Sequence, residues 1–284
     1  MRSQPTRAVL ARLVLLPATL AIAFPAHAQS VDLVGAGSLS LAFPQVADAF
    51  TASTGVKVTQ TYSPSGTLLQ EIEAGLRPDV FASADTANPQ TLTQEGLAGP
   101  VQIFARNQIV AVVRSGFGQT VNQSNLLSVL LEASTRIGTS TPVADPLGDY
   151  TQQIFQKADA IVPGAAATLE AKRDELVANP NAPAVPAGAN SLVYFLDTTQ
   201  TVDIFISYAT SAVQATALDT TLQIVFLPPD LSVPAPFGST VLNGASSDAQ
   251  QFAQYILSPQ GQQILASYGF IPNCRSWNPS RKSC

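Results

Sequence analysis

Histidine is almost absent: the single one, His27, lies near the amino terminus of the 284-residue chain. Everything after it lacks an imidazole, which excludes Ser-His-Asp and Cys-His catalysis and any histidine metal site there. Cysteine is nearly as scarce, with Cys274 and Cys284 both in the last eleven residues. Two sulfurs cannot build a four-ligand structural zinc site, and the pair lacks the Cys-x-x-Cys spacing of a redox centre. No metal site and no cofactor are expected. Charge is sparse too, with charged residues at 12% of the chain. After the first thirty residues, no stretch is apolar for the roughly 20 residues that a bilayer span requires.

The first thirty residues set the compartment. Arg2, Arg7 and Arg12 precede an apolar run from Leu13 to Phe24, broken by Pro17 and Thr19, and Ala26-His27-Ala28 forms a small-x-small site. This is the layout of a secretory signal peptide over residues 1–28, with cleavage after Ala28. A membrane anchor is the alternative, but the run is short for a span. No cysteine lies just after the site to carry a lipid. Three of the 14 basic residues leave with the leader, so the mature chain has 11 basic against 19 acidic residues, a net charge of −8. That balance lacks the basic surface nucleic acid requires, so no nucleic-acid partner is expected. A small anion is still compatible, because a local site can override net charge. In an extracytoplasmic, periplasmic setting, Cys274 and Cys284 are expected to form one disulfide closing a short loop.

About 256 residues remain after cleavage, enough for two lobes or one large domain. The periodicity alternates strands and helices. Strands are expected at 31–34, 56–62, 80–82, 108–113, 136–139, 204–206 and 222–227. Helices are expected at 39–53, 67–74, 88–95, 125–131, 150–158, 192–196, 249–258 and 261–267. The Ala/Pro-rich stretch 161–189 reads as a helix followed by a long surface loop. The fold class is therefore α/β, with mostly parallel sheets flanked by helices.

In such sheets, ligands bind beyond the carboxyl ends of strands. Three turns there precede helices: Gly35-Ala36-Gly37-Ser38, Ser63-Pro64-Ser65-Gly66-Thr67 and Asp145-Pro146-Leu147-Gly148-Asp149. The first two are rich in glycine and hydroxyls and carry no charge. Helix amino termini offer unpaired N–H groups and the positive end of a dipole. Several aimed at one point bind an anion without Arg or Lys. Taken singly, each turn is equally an ordinary helix cap.

The blocks Val34-Gly35-Ala36-Gly37-Ser38-Leu39, Thr54-Gly55-Val56-Lys57-Val58 and Ser63-Pro64-Ser65-Gly66-Thr67-Leu68 resemble, in order and spacing, the periplasmic molybdate- and tungstate-binding proteins of ABC transporters, type II solute-binding proteins. So do residues 72–85, Phe104-Ala105-Arg106-Asn107-Gln108-Ile109-Val110, Pro146-Leu147-Gly148-Asp149-Tyr150, Ile206-Ser207-Tyr208 and the segment 260–270. The match is dense from 31 to 113 and patchier beyond.

The resemblance implies a two-lobed binding-protein fold with a hinge between the lobes. Lobe 1 would be discontinuous, residues 29–105 and 226–284, and lobe 2 would span 106–225. Two strands crossing between the lobes would act as the hinge. The anion would be held by Ser38 and Ser65 through hydroxyl and N–H, by the Leu147 N–H, by an N–H near Asn190, and by the Tyr208 phenol. Gly37, Gly66, Asp145, Asp149 and Ser191 are further candidates. Partners would be molybdate or tungstate and the membrane permease of an ABC transporter, with the protein itself a monomer. Related tungstate-binding proteins resemble Ala144-Asp145-Pro146-x-Gly148 and add an aspartate to the metal's coordination shell. Their partner glutamate is replaced by Ser207 here. Asp145 and Asp149 read equally as helix caps.

Fully ionised molybdate, tungstate and sulfate accept hydrogen bonds only, so a donor-only site fits them, whereas hydrogenphosphate also donates and wants an acceptor. A phosphate or sulfate binder of the same fold is the first alternative. An exported hydrolase or lyase using paired carboxylates such as Asp79 and Asp85 is the alternative from another class, and a structural adhesion role is a third.

Overall fold

The computed structural model describes residues 30–273. The leader, its cleavage after Ala28 and the Cys274–Cys284 pairing fall outside these residues.

The first lobe begins with β1 (Ser30–Ala36), a short 3-10 turn (Gly37–Leu39), α1 (Ala42–Thr54), β2 (Lys57–Ser63) and α2 (Ser65–Glu73). It continues through β3 (Val80–Ser83), α3 (Ala87–Gln94) and β4 (Gln102–Asn107). The second lobe holds β5 (Ile109–Val113), α4 (Leu126–Leu131), β6 (Ile137–Ser140), α5 (Pro146–Ile161), α6 (Ala165–Ala171) and β7 (Arg173–Val177). Then come α7 (Ser191–Val193), running into a π turn (Tyr194–Thr198), β8 (Ile204–Tyr208), α8 (Ala209–Leu218) and β9 (Gln223–Phe226). The chain returns to the first lobe with β10 (Ala235–Val241), α9 (Ser247–Leu257), α10 (Pro259–Ser267) and β11 (Ile271–Pro272).

Two sheets result. The first has six strands in the order β11-β4-β10-β3-β1-β2 and the second five in the order β7-β6-β8-β5-β9. The chain passes between them at Gln108 and returns over 227–234. The pairing is more mixed than the alternating pattern implies. β1 runs parallel to β2 and β3, and β6 parallel to β7 and β8. The strands flanking the crossings, β4, β5, β9 and β10, pair antiparallel with their neighbours. A strand that enters from the other lobe arrives at the opposite end of the sheet, which sets its direction.

Local sequence explains most elements. In α1, Ala42, Phe43, Val46, Ala47 and Phe50 are buried on one face, and Gly55 ends the helix at φ 79°. This helix starts three residues later than its periodicity suggests, because Gly37–Leu39 form a separate turn. Five elements escape the periodicity: β4, β7, β10, β11 and α8. β10 contains Pro236 and Gly238, which read as loop, yet Pro236 stands second in the strand and a register shift falls between Phe237 and Gly238. β7 is a polar edge strand inside the stretch expected to be helix and loop. α8 is rich in Ala and Thr, with little contrast between its faces.

The two cores meet in a series of aromatic rings at the base of the cleft. Phe43 packs on Phe104, Phe104 on Phe237, and Phe237 on Tyr208 of the second sheet with ring centres 5.3 Å apart. The crossing itself is tied to the start of α8. Gln108's carbonyl accepts the Ala209 N–H at 2.8 Å, and the Asn107 side chain donates to the Thr210 hydroxyl at 2.8 Å. These bonds fix the backbone immediately after Tyr208. At the other end of β8, the Asp203 carboxylate accepts from Arg114 and Arg136, each at 2.7 Å, and from the Arg136 N–H. Among the described residues no helix is long and apolar enough to cross a membrane.

Candidate functional site

Between the lobes lies a cavity of about 410 Å³. It opens at the carboxyl ends of β1, β2, β6 and β8, where an α/β sheet places ligands. Ser38, Ser65, Leu147, Asn190 and Tyr208 all line it, as do Gly37, Asp145 and Ser191. Gly66 and Asp149 do not.

The hydroxyls differ in what they have free. The Ser38 Oγ, on the 3-10 turn after β1, is buried without a hydrogen-bond partner among the described residues. The Tyr208 Oη, at the end of β8, is likewise buried and unpartnered. A buried unpaired hydroxyl costs about 1–3 kcal/mol, so two on residues that line one cavity need an explanation. Ser65 opens α2 and is buried. Its Oγ accepts the Ala84 N–H at 3.1 Å, which leaves its own hydrogen to donate. As the first residue of α2 its N–H has no partner inside the helix. Burial, with the nearby Asp145 carboxylate second, raises the Tyr208 phenol well above its usual range, so at neutral pH it is a donor.

The turn before α5 is occupied by its own contacts. Asp145 caps the helix, its Oδ1 accepting the Leu147 N–H at 2.8 Å, and Pro146 fills the first helical position. The Leu147 N–H expected to face a ligand is thus engaged by Asp145. Asn190 caps α7 in the same way, accepting from the N–H groups of Leu192 and Val193. That leaves Ser191, the first residue of α7, as the N–H donor at this corner. Asp149, unlike Asp145, does not cap α5: its Oδ1 accepts from the Val143 N–H. Gly66 gives its N–H to Ala144.

Among the described residues, no Lys or Arg lines the cavity, and Asp145 is its one carboxylate. Burial pushes the Asp145 carboxyl up to about 6. The Leu147 N–H pulls it down, and Asp149 and Asp85 raise it further. The sign follows directly: the folded protein holds this proton to higher pH than the unfolded chain. Stability from this group is complete below about pH 4 and is lost as pH rises through about 6. Asp145→Asn should therefore flatten the unliganded stability profile between pH 4 and 6, by at most about 3 kcal/mol. Chemical denaturation across that range measures it, and an unchanged profile would show that the carboxyl is well solvated.

Ser140, Ser207, Ser211 and Gln214 also line the cavity, and the sequence offered none of them as a ligand, although Ser207 was named as replacing the glutamate of related tungstate-binding proteins. The signal for the first two was available: Ser140 ends β6, and Ser207 stands one residue before the end of β8. Ser211 and Gln214 lie on α8, the helix missed from periodicity, so nothing pointed to them. The carboxylates of the enzyme alternative are engaged elsewhere. Asp79 accepts the Asp32 N–H, Asp85 accepts from Ser83 and Asn88, and neither lines the cavity. No cluster of three or more metal-binding side chains occurs among the described residues.

Comparison with known proteins agrees with this architecture. A sequence model of the family described as bacterial extracellular solute-binding protein matches residues 31–271. The molybdate-binding protein ModA of Rhodobacter capsulatus is 24% identical over 263 residues, covering 89% of this chain and 92% of the relative. Among solved structures, the periplasmic molybdate-binding protein of Azotobacter vinelandii superposes with a TM-score of 0.66 at 20% identity, over 86% of this chain and 100% of the other. The sulfate-binding protein SubI of Mycobacterium tuberculosis H37Rv gives a TM-score of 0.69 at 18% identity, over 87% of this chain and 88% of the other. The two-lobed fold is that of the periplasmic binding proteins.

Proposed function

The chain belongs to the family of bacterial extracellular solute-binding proteins, and we propose that it captures a tetrahedral oxyanion, molybdate or tungstate, between its lobes for import through an ABC transporter permease. The observation that carries this reading is the convergence of donors on a cavity without cations. Ser38 Oγ and Tyr208 Oη are buried and unpartnered, and Ser65 has its acceptor side filled and its donor side free. A fully ionised oxyanion accepts hydrogen bonds only and matches such a set. The protein supplies charge stabilisation through hydroxyls and helix amino termini instead of Arg or Lys.

Mechanistically, the lobes act as two bodies joined at Gln108 and 227–234. An anion bound first by one wall is enclosed when the other arrives, and the hydrogen bonds strengthen as water is excluded. Each hydroxyl then keeps its hydrogen, so binding requires no chemistry on the solute. The likeness to molybdate-binding relatives supports molybdate over the other tetrahedral anions. A specific observation favours a second reading: Asp145 gives the cavity an acceptor, which suits a protonated anion such as hydrogenphosphate.

Calorimetric titration of the exported protein with molybdate, tungstate, sulfate and phosphate separates these readings. Molybdate or tungstate should bind most tightly and raise the melting temperature by mass action. Tight binding of phosphate alone would transfer the site to the second reading. No heat and no thermal shift with any of the four at millimolar concentration would remove the oxyanion assignment.

A further inference from the structure

Asp149 stands in the first turn of α5 but does not line the cavity, and its Oδ1 accepts the N–H of Val143 at 2.9 Å. Val143 is β-branched and sits at φ 68°, in the left-handed region such residues rarely enter, with its side chain exposed. Its conformation therefore needs an external support, and Asp149 supplies one. The next carbonyl, that of Ala144, crosses the cleft. It accepts the N–H of Gly66 at 3.0 Å and of Thr67 at 3.3 Å, the second and third residues of α2 in the other lobe. These are first-turn amides with no acceptor inside their own helix. The approach is close enough that a Cβ on Gly66 would lie 1.8 Å from the Val143 carbonyl oxygen. Ser65 and Asp145, on either side of this contact, both line the cavity.

We propose that Asp149 is a positioning residue: by holding Val143 it aims the Ala144 carbonyl at α2, so that the turn 142–145 latches the two lobes together at the edge of the cavity. The inference rests on the two-lobed binding-protein reading but not on which anion is bound. Asp149 and Gly66 act on the solute only through this latch. The release rate should therefore depend on them, whereas the encounter rate should not.

The test is amide hydrogen exchange by NMR on the exported protein, alone and with millimolar molybdate, sulfate or phosphate, alongside stopped-flow binding of whichever anion binds. In the wild type the Gly66 and Thr67 amides should be protected. Asp149→Ala should lower their protection at least tenfold while leaving the later amides of α2 unchanged, and it should speed release without slowing capture. Asp149→Asn keeps a carbonyl oxygen to accept from Val143 and should restore protection. Gly66→Ala collides with the Val143 carbonyl and should remove protection at Thr67, which gives a second reading should Asp149→Ala fold poorly. Free exchange of both amides in the wild type under every condition would overturn the proposal, as would full protection in both Asp149→Ala and Gly66→Ala. If none of the anions binds, the oxyanion assignment fails separately, and exchange in the unliganded protein still decides the latch.

Discussion

Tyr208→Phe is expected to melt at a higher temperature than the wild type when unliganded and to bind its oxyanion about tenfold to hundredfold more weakly. The two effects share one cause. The Tyr208 hydroxyl is buried without a protein partner, and leaving such a group unsatisfied costs about 1–3 kcal/mol. Phe removes that cost and keeps the ring packed edge-on against Phe237 at 5.3 Å and Tyr150 at 6.4 Å. Each kcal/mol recovered is worth roughly 2–4 °C in a chain of this size. In the complex the same hydroxyl would donate to a dianion, a bond worth roughly 1.5–3 kcal/mol. Ser38→Ala should repeat the pattern, since its Oγ is the other buried unpartnered hydroxyl in the cavity. Differential scanning calorimetry and titration with molybdate on both variants give the comparison. Undiminished binding in both would place the anion elsewhere, and a lower unliganded melting temperature in Tyr208→Phe would mean that water already satisfies the phenol.

The largest loss of stability is expected from Asp203→Ala. Asp203 opens the route into β8, and its carboxylate holds Arg114, Arg136 and the Arg136 N–H at once. Its side chain is 5% exposed. Deleting one member of a buried ion cluster costs about 3–5 kcal/mol, because the remaining charges lose their partner. The half-exposed Arg136 places the expectation at the low end. Burial alone would raise this carboxyl, but the hydrogen bonds from Arg136 and Arg114 outweigh it and hold it at about 2. The stabilisation is thus fully present above about pH 4 and is lost as pH falls through about 2. Urea unfolding of both proteins at pH 7 and at steps down to pH 2 measures the difference. The gap between them should narrow at the acid end. A loss below about 1 kcal/mol at pH 7 would show the cluster to be a solvated surface arrangement.

Asp203 immediately precedes the five-residue strand β8 and Tyr208 ends it, and together they indicate what was legible in advance. The strand was readable from Ile204 to Ile206 because apolar runs bounded by polar residues are local signals. Its two functional ends were not equally so. Tyr208 entered through a resemblance spread over the chain, whereas the partners of Asp203, Arg114 just after β5 and Arg136 just before β6, lie 89 and 67 residues away in sequence. β10 was missed because Pro236 and Gly238 look like loop residues, although the strand pairs on both sides within the first sheet. α8 was missed because Ala and Thr mark no face, and with it went Ser211 and Gln214.

The sequence by itself determined the α/β alternation, the glycine and serine turns at the ends of β1 and β2, and the lack of imidazole after His27. Each of these is written in a few adjacent residues: periodicity, turn chemistry and composition are short-range properties. Only the tertiary structure decided how the candidates divide. It set Asp145 in the cavity lining and left Asp149 out of it, though they are four residues apart in one motif: Asp145 caps α5 while Asp149 bonds Val143. It gave the Leu147 N–H to Asp145, the Gly66 N–H to the opposite lobe, and left Ser38 and Tyr208 unpaired. A hydrogen-bond donor is free or engaged according to which acceptors the packing of distant segments brings within about 3 Å, and no local pattern of residues specifies that.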